Sequence, residues 1–313
     1  MAIPTLSLRD LTHADFARAL GASFRTYGFA LVSDHGMDGA LVAEGWKAAR
    51  AFFDLPDEEK RRHIVPGGGG QRGFTPFGVE TAKGASAGDL KEFWHVGRDL
   101  PPGSPLASLM PPNVWPQQPE NFADIMTALF AAFDATGRRI LSAVATDLGL
   151  SPDWFEAGVA EGNSILRLLH YPPVAPAPDG VRAEAHEDIN LITLLLGAEE
   201  AGLQLLTRQG EWIDVAPPPG ALVVNVGDML QRLTNHRLPS SSHRVVNPPS
   251  ERQDVARYSM PFFLHPAPDF LIEALPGCVN AANPVREPPI TAGAYLAQRL
   301  GEIGLMTTGS APT

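Results

Sequence analysis

From about residue 163 onward the chain is written in short apolar runs, each broken after a few residues by Pro, Gly or Asn. Ile165–Leu169, Leu191–Leu196, Leu203–Leu206, Trp212–Val215, Ala221–Val226, Arg244–Val246 and Arg257–Phe263 are the candidate strands. So many short strands at close spacing predict a sandwich, a jelly roll or a barrel.

The first half follows a helical period. Phe16, Leu20 and Phe24 recur on one face between His13 and Tyr27, with Thr12 as an N-cap. Tyr27 to Ser33 reads as a buried strand and Asp34-His35-Gly36 as its turn. Leu41, Trp46, Ala49 and Phe53 mark a second helix that ends before Pro56. Residues 66–86, with Gly67 to Gly70, read as a loop; no Gly-Lys-Ser/Thr follows, so these glycines do not form a phosphate cradle. From Glu120 to Leu148, the residues Phe122, Met126, Leu129, Phe133, Ile140, Val144 and Leu148 trace one face of a long helix. Ser151-Pro152-Asp153 caps a short helix ending near Ala160, and a last helix around residues 292–301 precedes a polar tail. The expected organisation is one main domain, mainly β with flanking helices. Residues 1–115 form a helix and strand region, 116–160 a supporting helix, 161–290 the β core, and 291–313 a C-terminal helix and tail.

Composition narrows the functional classes. The chain has 35 acidic against 24 basic side chains, a net charge of −11, and no Lys/Arg cluster, which argues against a nucleic-acid partner. No apolar run approaches the roughly 20 residues that span a bilayer. The N-terminus lacks the basic flank and apolar stretch of a secretory signal, and the single Cys278 allows no internal disulfide; both point to the cytoplasm. A small molecule remains as the partner. The absence of a charge cluster favours a neutral or amphipathic one.

His186-Glu187-Asp188 places an imidazole and a carboxylate two residues apart, so on a strand both face one side. A second imidazole would complete a facial triad that leaves coordination positions open for substrate and oxygen. His13-Ala14-Asp15 has the same spacing, but at a helix start Asp15 is better explained as a first-turn charge. His236 and His243 are the candidates for the second imidazole. His243 opens a β-like run and is preferred; His236 follows Thr234-Asn235 in a turn. Further on, Arg257-Tyr258-Ser259 again uses the strand period to aim a guanidinium and a hydroxyl at one face, a match for a carboxylate.

These motifs resemble the isopenicillin N synthase-like branch of the Fe(II)/2-oxoglutarate-dependent dioxygenases over almost the whole chain. Near the N-terminus, Tyr27-Gly28-Phe29-Ala30-Leu31-Val32-Ser33-Asp34-His35-Gly36 is similar to the family's strand and turn, and Phe52-Phe53-Asp54-Leu55-Pro56 to the end of its second helix. Asp89-Leu90-Lys91-Glu92 resembles the segment before its substrate-side strand. Leu166-Arg167-Leu168-Leu169-His170-Tyr171-Pro172 precedes His186 and Asp188, with His243 and Arg257-Tyr258-Ser259 following in the family's order.

The resemblance implies a double-stranded β-helix, or jelly roll. It implies Fe(II) held by His186, Asp188 and His243, and 2-oxoglutarate held by Arg257 and Ser259 with help from Tyr171. Leu169 stands where many relatives carry Asn. The implied reaction consumes O2 and 2-oxoglutarate, releases succinate and carbon dioxide, and hydroxylates a C–H bond of a small molecule. Phe74, Phe77, Phe93, His95, Leu169, Phe262 and Phe263 are candidates for the substrate side, with core packing as the alternative for each. Asn225 and Asp228 read as a turn or cap. Three rival readings are an oxidase that cyclises its substrate without 2-oxoglutarate, a zinc hydrolase, and a metal-binding relative without turnover.

Overall fold

The computed structural model describes residues 3–80, 88–173, 181–196 and 201–302. In chain order the elements are β1 (Thr5–Ser7), α1 (His13–Tyr27), β2 (Phe29–Ser33), α2 (Gly39–Phe53), α3 (Asp57–Arg61), β3 (Gly73–Thr75), β4 (Glu92–Gly97) and α4 (Phe122–Asp147). There follow α5 (Glu156–Val159), β5 (Ile165–Tyr171), β6 (Ala183–His186), β7 (Ile192–Leu196), β8 (Leu203–Leu206), β9 (Trp212–Asp214) and β10 (Leu222–Val226). The last are α6 (Asp228–Leu233), β11 (His243–Val245), β12 (Arg257–Leu264), β13 (Leu271–Ile272), β14 (Ile290–Thr291) and α7 (Ala292–Glu302).

The strands form an eight-stranded sheet in the order β1-β2-β10-β7-β12-β5-β4-β3 and a four-stranded sheet in the order β6-β11-β8-β9; β13 and β14 pair separately. Both the mainly-β composition and the flanking helices agree with the sequence pattern. β6 was not foreseen, because Ala-Glu-Ala-His carries no β-branched signal. β3 lies inside the stretch expected to be a loop, and residues 81–86 of that stretch are outside the described residues, as is the tail from 303 on.

Strand alternation decides which side chains reach the site. On β12, Met260, Phe262 and Leu264 join the core beneath the helices, where Phe262 stacks on Phe133 of α4. Arg257, Ser259, Pro261 and Phe263 take the opposite face. On β5, Leu166 and Leu168 go to the helix side, while Arg167, Leu169 and Tyr171 go inward. The same division puts Trp94 and Val96 of β4 among the helices, and Phe93 and His95 on the inner face. A second, smaller apolar cluster fills the space between the sheets, including Phe29, Leu169, Leu203, Leu205 and Val245.

α4 supports the outer face of the large sheet, as its apolar stripe requires. Gly137 permits the close approach: a Cβ there would lie 2.4 Å from Leu264 of β12. α1 begins with Thr12 accepting from the Asp15 amide and ends at Gly28 in the left-handed region.

Candidate active site

His243 on β11 lies directly opposite His186 on β6 in the antiparallel register. Their ring centroids are 4.5 Å apart. β6 ends at His186, so Asp188 comes from the turn beyond it rather than from the same strand face. Its orientation is set by other groups. Thr193 Oγ1 donates to Asp188 Oδ2 at 2.6 Å, and Asn225 Nδ2 donates to the same oxygen at 2.7 Å. The Asp188 backbone carbonyl accepts from the Asp228 amide at 2.7 Å. Nitrogen and oxygen atoms of His186, Asp188 and His243 all fall within 4.8 Å of one another.

The electrostatics suit metal ligation. His186 Nδ1 donates to the Glu184 carbonyl at 2.7 Å and His243 Nδ1 to the Ser241 carbonyl at 3.2 Å. Each ring therefore presents Nε2 as a lone pair. Burial, then the neighbouring His243, lowers the His186 pKa to about 4, which keeps the ring neutral. Burial raises the Asp188 pKa, but His243 and His186 and the bonds from Thr193 and Asn225 outweigh it, so the carboxylate stays below its ordinary value. Two imidazoles and one ionised carboxylate beside open space fit a 2-His-1-carboxylate centre.

Two cavities meet at this centre, and His186, Asp188, Lys91, Arg167 and Phe263 line both. The smaller, about 60 Å³, is also bounded by Tyr171, Leu169, Arg257, Ser259 and His243. Arg257 pairs with Tyr171 in the β12–β5 register and lies 5.1 Å from that ring, with Ser259 two residues along. The larger, about 420 Å³, is bounded by His95, Gln71, Glu80, Asp89 and His265, and by Leu296, Arg299 and Leu300 of α7.

Of the residues expected on the substrate side, His95 lines the larger cavity and Phe263 both, while Leu169 belongs to the smaller one. Phe74 is a correction: it pairs with Trp94 in register and packs with Phe52 in the outer core. Phe77 is 48% exposed and lines neither cavity. Phe93 is buried beneath the Arg167 guanidinium at 4.2 Å instead of reaching the space itself, and Phe262 faces the helices. His236 meets Glu287 at 3.2 Å and His13 meets Thr146 at 2.9 Å, so neither joins the centre.

Asn225 and Asp228 are more than turn residues. Asn225 braces Asp188, and Asp228 opens α6 while accepting from Tyr295 Oη of α7 at 3.1 Å. Sequence reasoning also missed a buried ionic lattice. Lys91 Nζ lies 2.7 Å from both Glu80 and Asp89, and Arg167 forks onto Glu80 with two bonds of 3.1 Å. Asp89 and Lys91 are neighbours in the sequence, but Glu80 and above all Arg167 reach them only through the fold, so the lattice does not show in the sequence. The available signal was the alternation in Leu166-Arg167-Leu168, which turns a charged side chain away from the apolar face.

Two histidines and an aspartate within ligating reach of one another, next to a pocket lined by an arginine and a hydroxyl, are the arrangement expected of a non-haem oxygenase. Residues 3–118 match the model of the non-haem dioxygenase in morphine synthesis N-terminal region, and residues 162–266 that of the 2OG-Fe(II) oxygenase superfamily. The chain is 33% identical to a 2-oxoglutarate-Fe(II) type oxidoreductase of Aspergillus fumigatus, over 87% of this chain and 82% of that protein. A solved 2OG-Fe(II) oxygenase family protein from Caulobacter crescentus is 53% identical with a TM-score of 0.90, covering 96% of this chain and 99% of that one. A full-length Neurospora crassa protein solved in complex with α-ketoglutarate and thymine is 31% identical with a TM-score of 0.85, covering 96% of each chain. The chain belongs to the 2OG-Fe(II) oxygenase superfamily, with isopenicillin N synthase-like architecture. It is a non-haem iron oxidoreductase that uses Fe(II) and 2-oxoglutarate to oxidise a small molecule. Among the described residues no helix is long and apolar enough to cross a membrane.

Proposed function

We propose that His186, Asp188 and His243 hold the Fe(II), that Arg257, Ser259 and Tyr171 hold the far carboxylate of 2-oxoglutarate, and that the larger cavity presents a C–H bond for hydroxylation. The observation that carries this reading is that His186 and Asp188 belong to the walls of both cavities. One centre thus faces a carboxylate pocket and a separate substrate space. The two facing sheets are read as the walls of a double-stranded β-helix spanning residues 161–290. Residues 1–115, 116–160 and 291–313 are its additions, and the buried free thiol of Cys278 fits the cytoplasm.

When bound, Fe(II) supplies the redox chemistry that couples decarboxylation of 2-oxoglutarate to oxidation of the substrate. The chain's own residues do the rest. Backbone carbonyls fix both ring tautomers, Thr193 and Asn225 occupy one Asp188 oxygen and leave the other for the metal, and the Arg257 fork fixes the co-substrate's orientation. Leu296 and Leu300 of α7 give the substrate space part of its apolar wall.

Anaerobic reconstitution with Fe(II) and 2-oxoglutarate, followed by admission of oxygen and quantification of succinate, tests the reading. Succinate is expected from the parent, none from His243→Ala, and little from Arg257→Ala. A parent that binds iron but neither binds 2-oxoglutarate nor makes succinate would sink the co-substrate assignment.

A further inference from the structure

We propose that a second site, separate from the iron centre, binds a compact, multiply charged anion of the pyrophosphate type. It is a pocket of about 450 Å³ where Arg25 of α1, Arg208 of the β8–β9 turn, Arg237 after α6 and Arg286 converge. The pocket shares no lining residue with either cavity at His186 and Asp188, so the inference stands apart from the co-substrate and substrate readings.

Charge makes this space an exception. The chain has 35 acidic against 24 basic side chains, and exposed arginines such as Arg9, Arg18, Arg61 and Arg62 each meet a carboxylate. Counter-charges are plentiful, yet four arginines line this pocket and no carboxylate does. Arg25 is engaged by Asp147 at 2.5 and 3.2 Å, and His236, also in the wall, meets Glu287 at 3.2 Å. Arg208, Arg237 and Arg286 have no carboxylate partner among the described residues. Charges of one sign around a concave space draw in a counter-ion that can meet several of them at once. Their positions are far apart in the chain, so the sequence shows no basic cluster and only the fold makes one.

The lining narrows the class of anion. A guanidinium presents a flat fork of N–H donors that fits two oxygens of one phosphate. Asn280 and Asn283 add amide groups, and neither an aliphatic side chain nor an aromatic ring other than His236 lines the space. A guest there gains little from carbon. It gains from acceptor oxygens spread over more than one centre, which can reach guanidinium groups on separate segments, and a pyrophosphate group supplies them.

The walls are tied together in advance. Asn235, 2% exposed, donates to the Pro284 and Asn283 carbonyls at 3.0 and 3.2 Å and accepts from the Arg286 amide at 3.0 Å. Asn283 returns two bonds, to the Asn235 and Cys278 carbonyls at 3.1 and 3.0 Å. The turn bearing His236 and Arg237 is thereby fixed to the segment bearing Arg286, which lowers the ordering cost of binding.

The test is calorimetry on the full chain, free of iron so that the probes cannot chelate it, in a low-salt buffer without phosphate. The probes are pyrophosphate, ADP, orthophosphate and citrate. Pyrophosphate is expected to bind one per chain and about tenfold or more tighter than orthophosphate, the margin of one further charged hydrogen bond. Citrate, of similar charge but with methylene groups that find no apolar wall, is expected to bind more weakly than pyrophosphate. ADP binding as tightly as pyrophosphate or tighter would support a nucleotide as the source of the group; weaker binding would support the free anion. Arg237→Gln and Arg286→Gln, at exposed positions, are each expected to cost about tenfold in pyrophosphate affinity, and the double variant more. Arg257→Ala, in the co-substrate pocket, is expected to change nothing, and circular dichroism melts check that the variants fold. Absence of pyrophosphate binding, an affinity unchanged in the double variant, or its loss in Arg257→Ala would overturn the proposal. So would orthophosphate or citrate binding as tightly as pyrophosphate, the behaviour of a diffuse positive surface.

Discussion

The two cavities beside the His186–Asp188–His243 centre are built by different rules. The smaller is walled by strands: Leu169 and Tyr171 from β5, Thr193 from β7, Asn225 from β10, His243 from β11, Arg257 and Ser259 from β12. Each points inward because a strand alternates its faces; Leu169, Thr193, Asn225 and His243 are held by backbone ladders on both sides, and Tyr171, Arg257 and Ser259 by the β5–β12 ladder. The larger shares that strand wall through His95 of β4, Ile165 and Arg167 of β5 and Phe263 of β12, and adds the stretch holding Gly69 and Gln71, Glu80 and Asp89 between β3 and β4, and α7. On the proposed assignment, strands alone wall the space for iron and co-substrate, whereas the substrate space adds connections and a helix, the parts of a fold most free to vary.

That contrast can be broken by experiment, and His243→Ala is the harshest attempt. It removes one of the three proposed ligands, so iron retention measured by metal analysis and succinate formation are both expected to fall below detection. Arg257→Ala comes next. Losing a bidentate charged hydrogen-bond partner costs about 3 kcal/mol, roughly a hundredfold in 2-oxoglutarate affinity, with iron binding retained. Calorimetric titration would show it, and an equal loss of iron would mean that the two functions are not separately housed. Asn225→Ala tests the brace behind Asp188. Partners of metal ligands cost roughly 10- to 100-fold in metal affinity when removed, so weaker Fe(II) binding is expected with 2-oxoglutarate affinity falling only in proportion.

The same division explains what could be read from the sequence. Arg257 and Ser259 were legible because period-2 spacing survives in the text of a strand; His186 was named from its spacing to Asp188, His243 from the β-like run it opens, and Tyr171 from the family resemblance alone. Helices α1, α2 and α4 were legible from their apolar stripes. Asp188 was named for a reason the structure modifies: its strand ends at His186, and side-chain bonds from Thr193 and Asn225 aim it. Phe74 and Phe262 were misplaced because a phenyl ring serves either face of a sheet, and only register decides between them. The Glu80–Lys91–Arg167 lattice was invisible because Arg167, which joins it, lies 87 residues from Glu80 in sequence. An isolated charge in the text gives no sign of its partner.

The smallest expected effect bears on the substrate side alone. His265 follows the last residue of β12, lines the larger cavity and is only 6% exposed. Burial depresses its pKa from 6.5 to about 4, against a weaker opposing pull from Asp188. At pH 7.5 the ring is neutral whether the chain is folded or unfolded, so its effect on stability is negligible there. As the pH drops below 6.5 the unfolded chain takes up a proton that the folded protein refuses, and stability is lost progressively until about pH 4. Going from about pH 7.5 to 5.5 should cost roughly 1.4 kcal/mol from this group. Urea unfolding of the parent and of His265→Gln at both values isolates it: the variant is expected to lose about that much less on acidification. An identical pH dependence would mean that His265 is hydrated through the open cavity, and that the substrate wall is wetter than its packing indicates. The strand-built wall on the other side would then be the only one from which water is kept out.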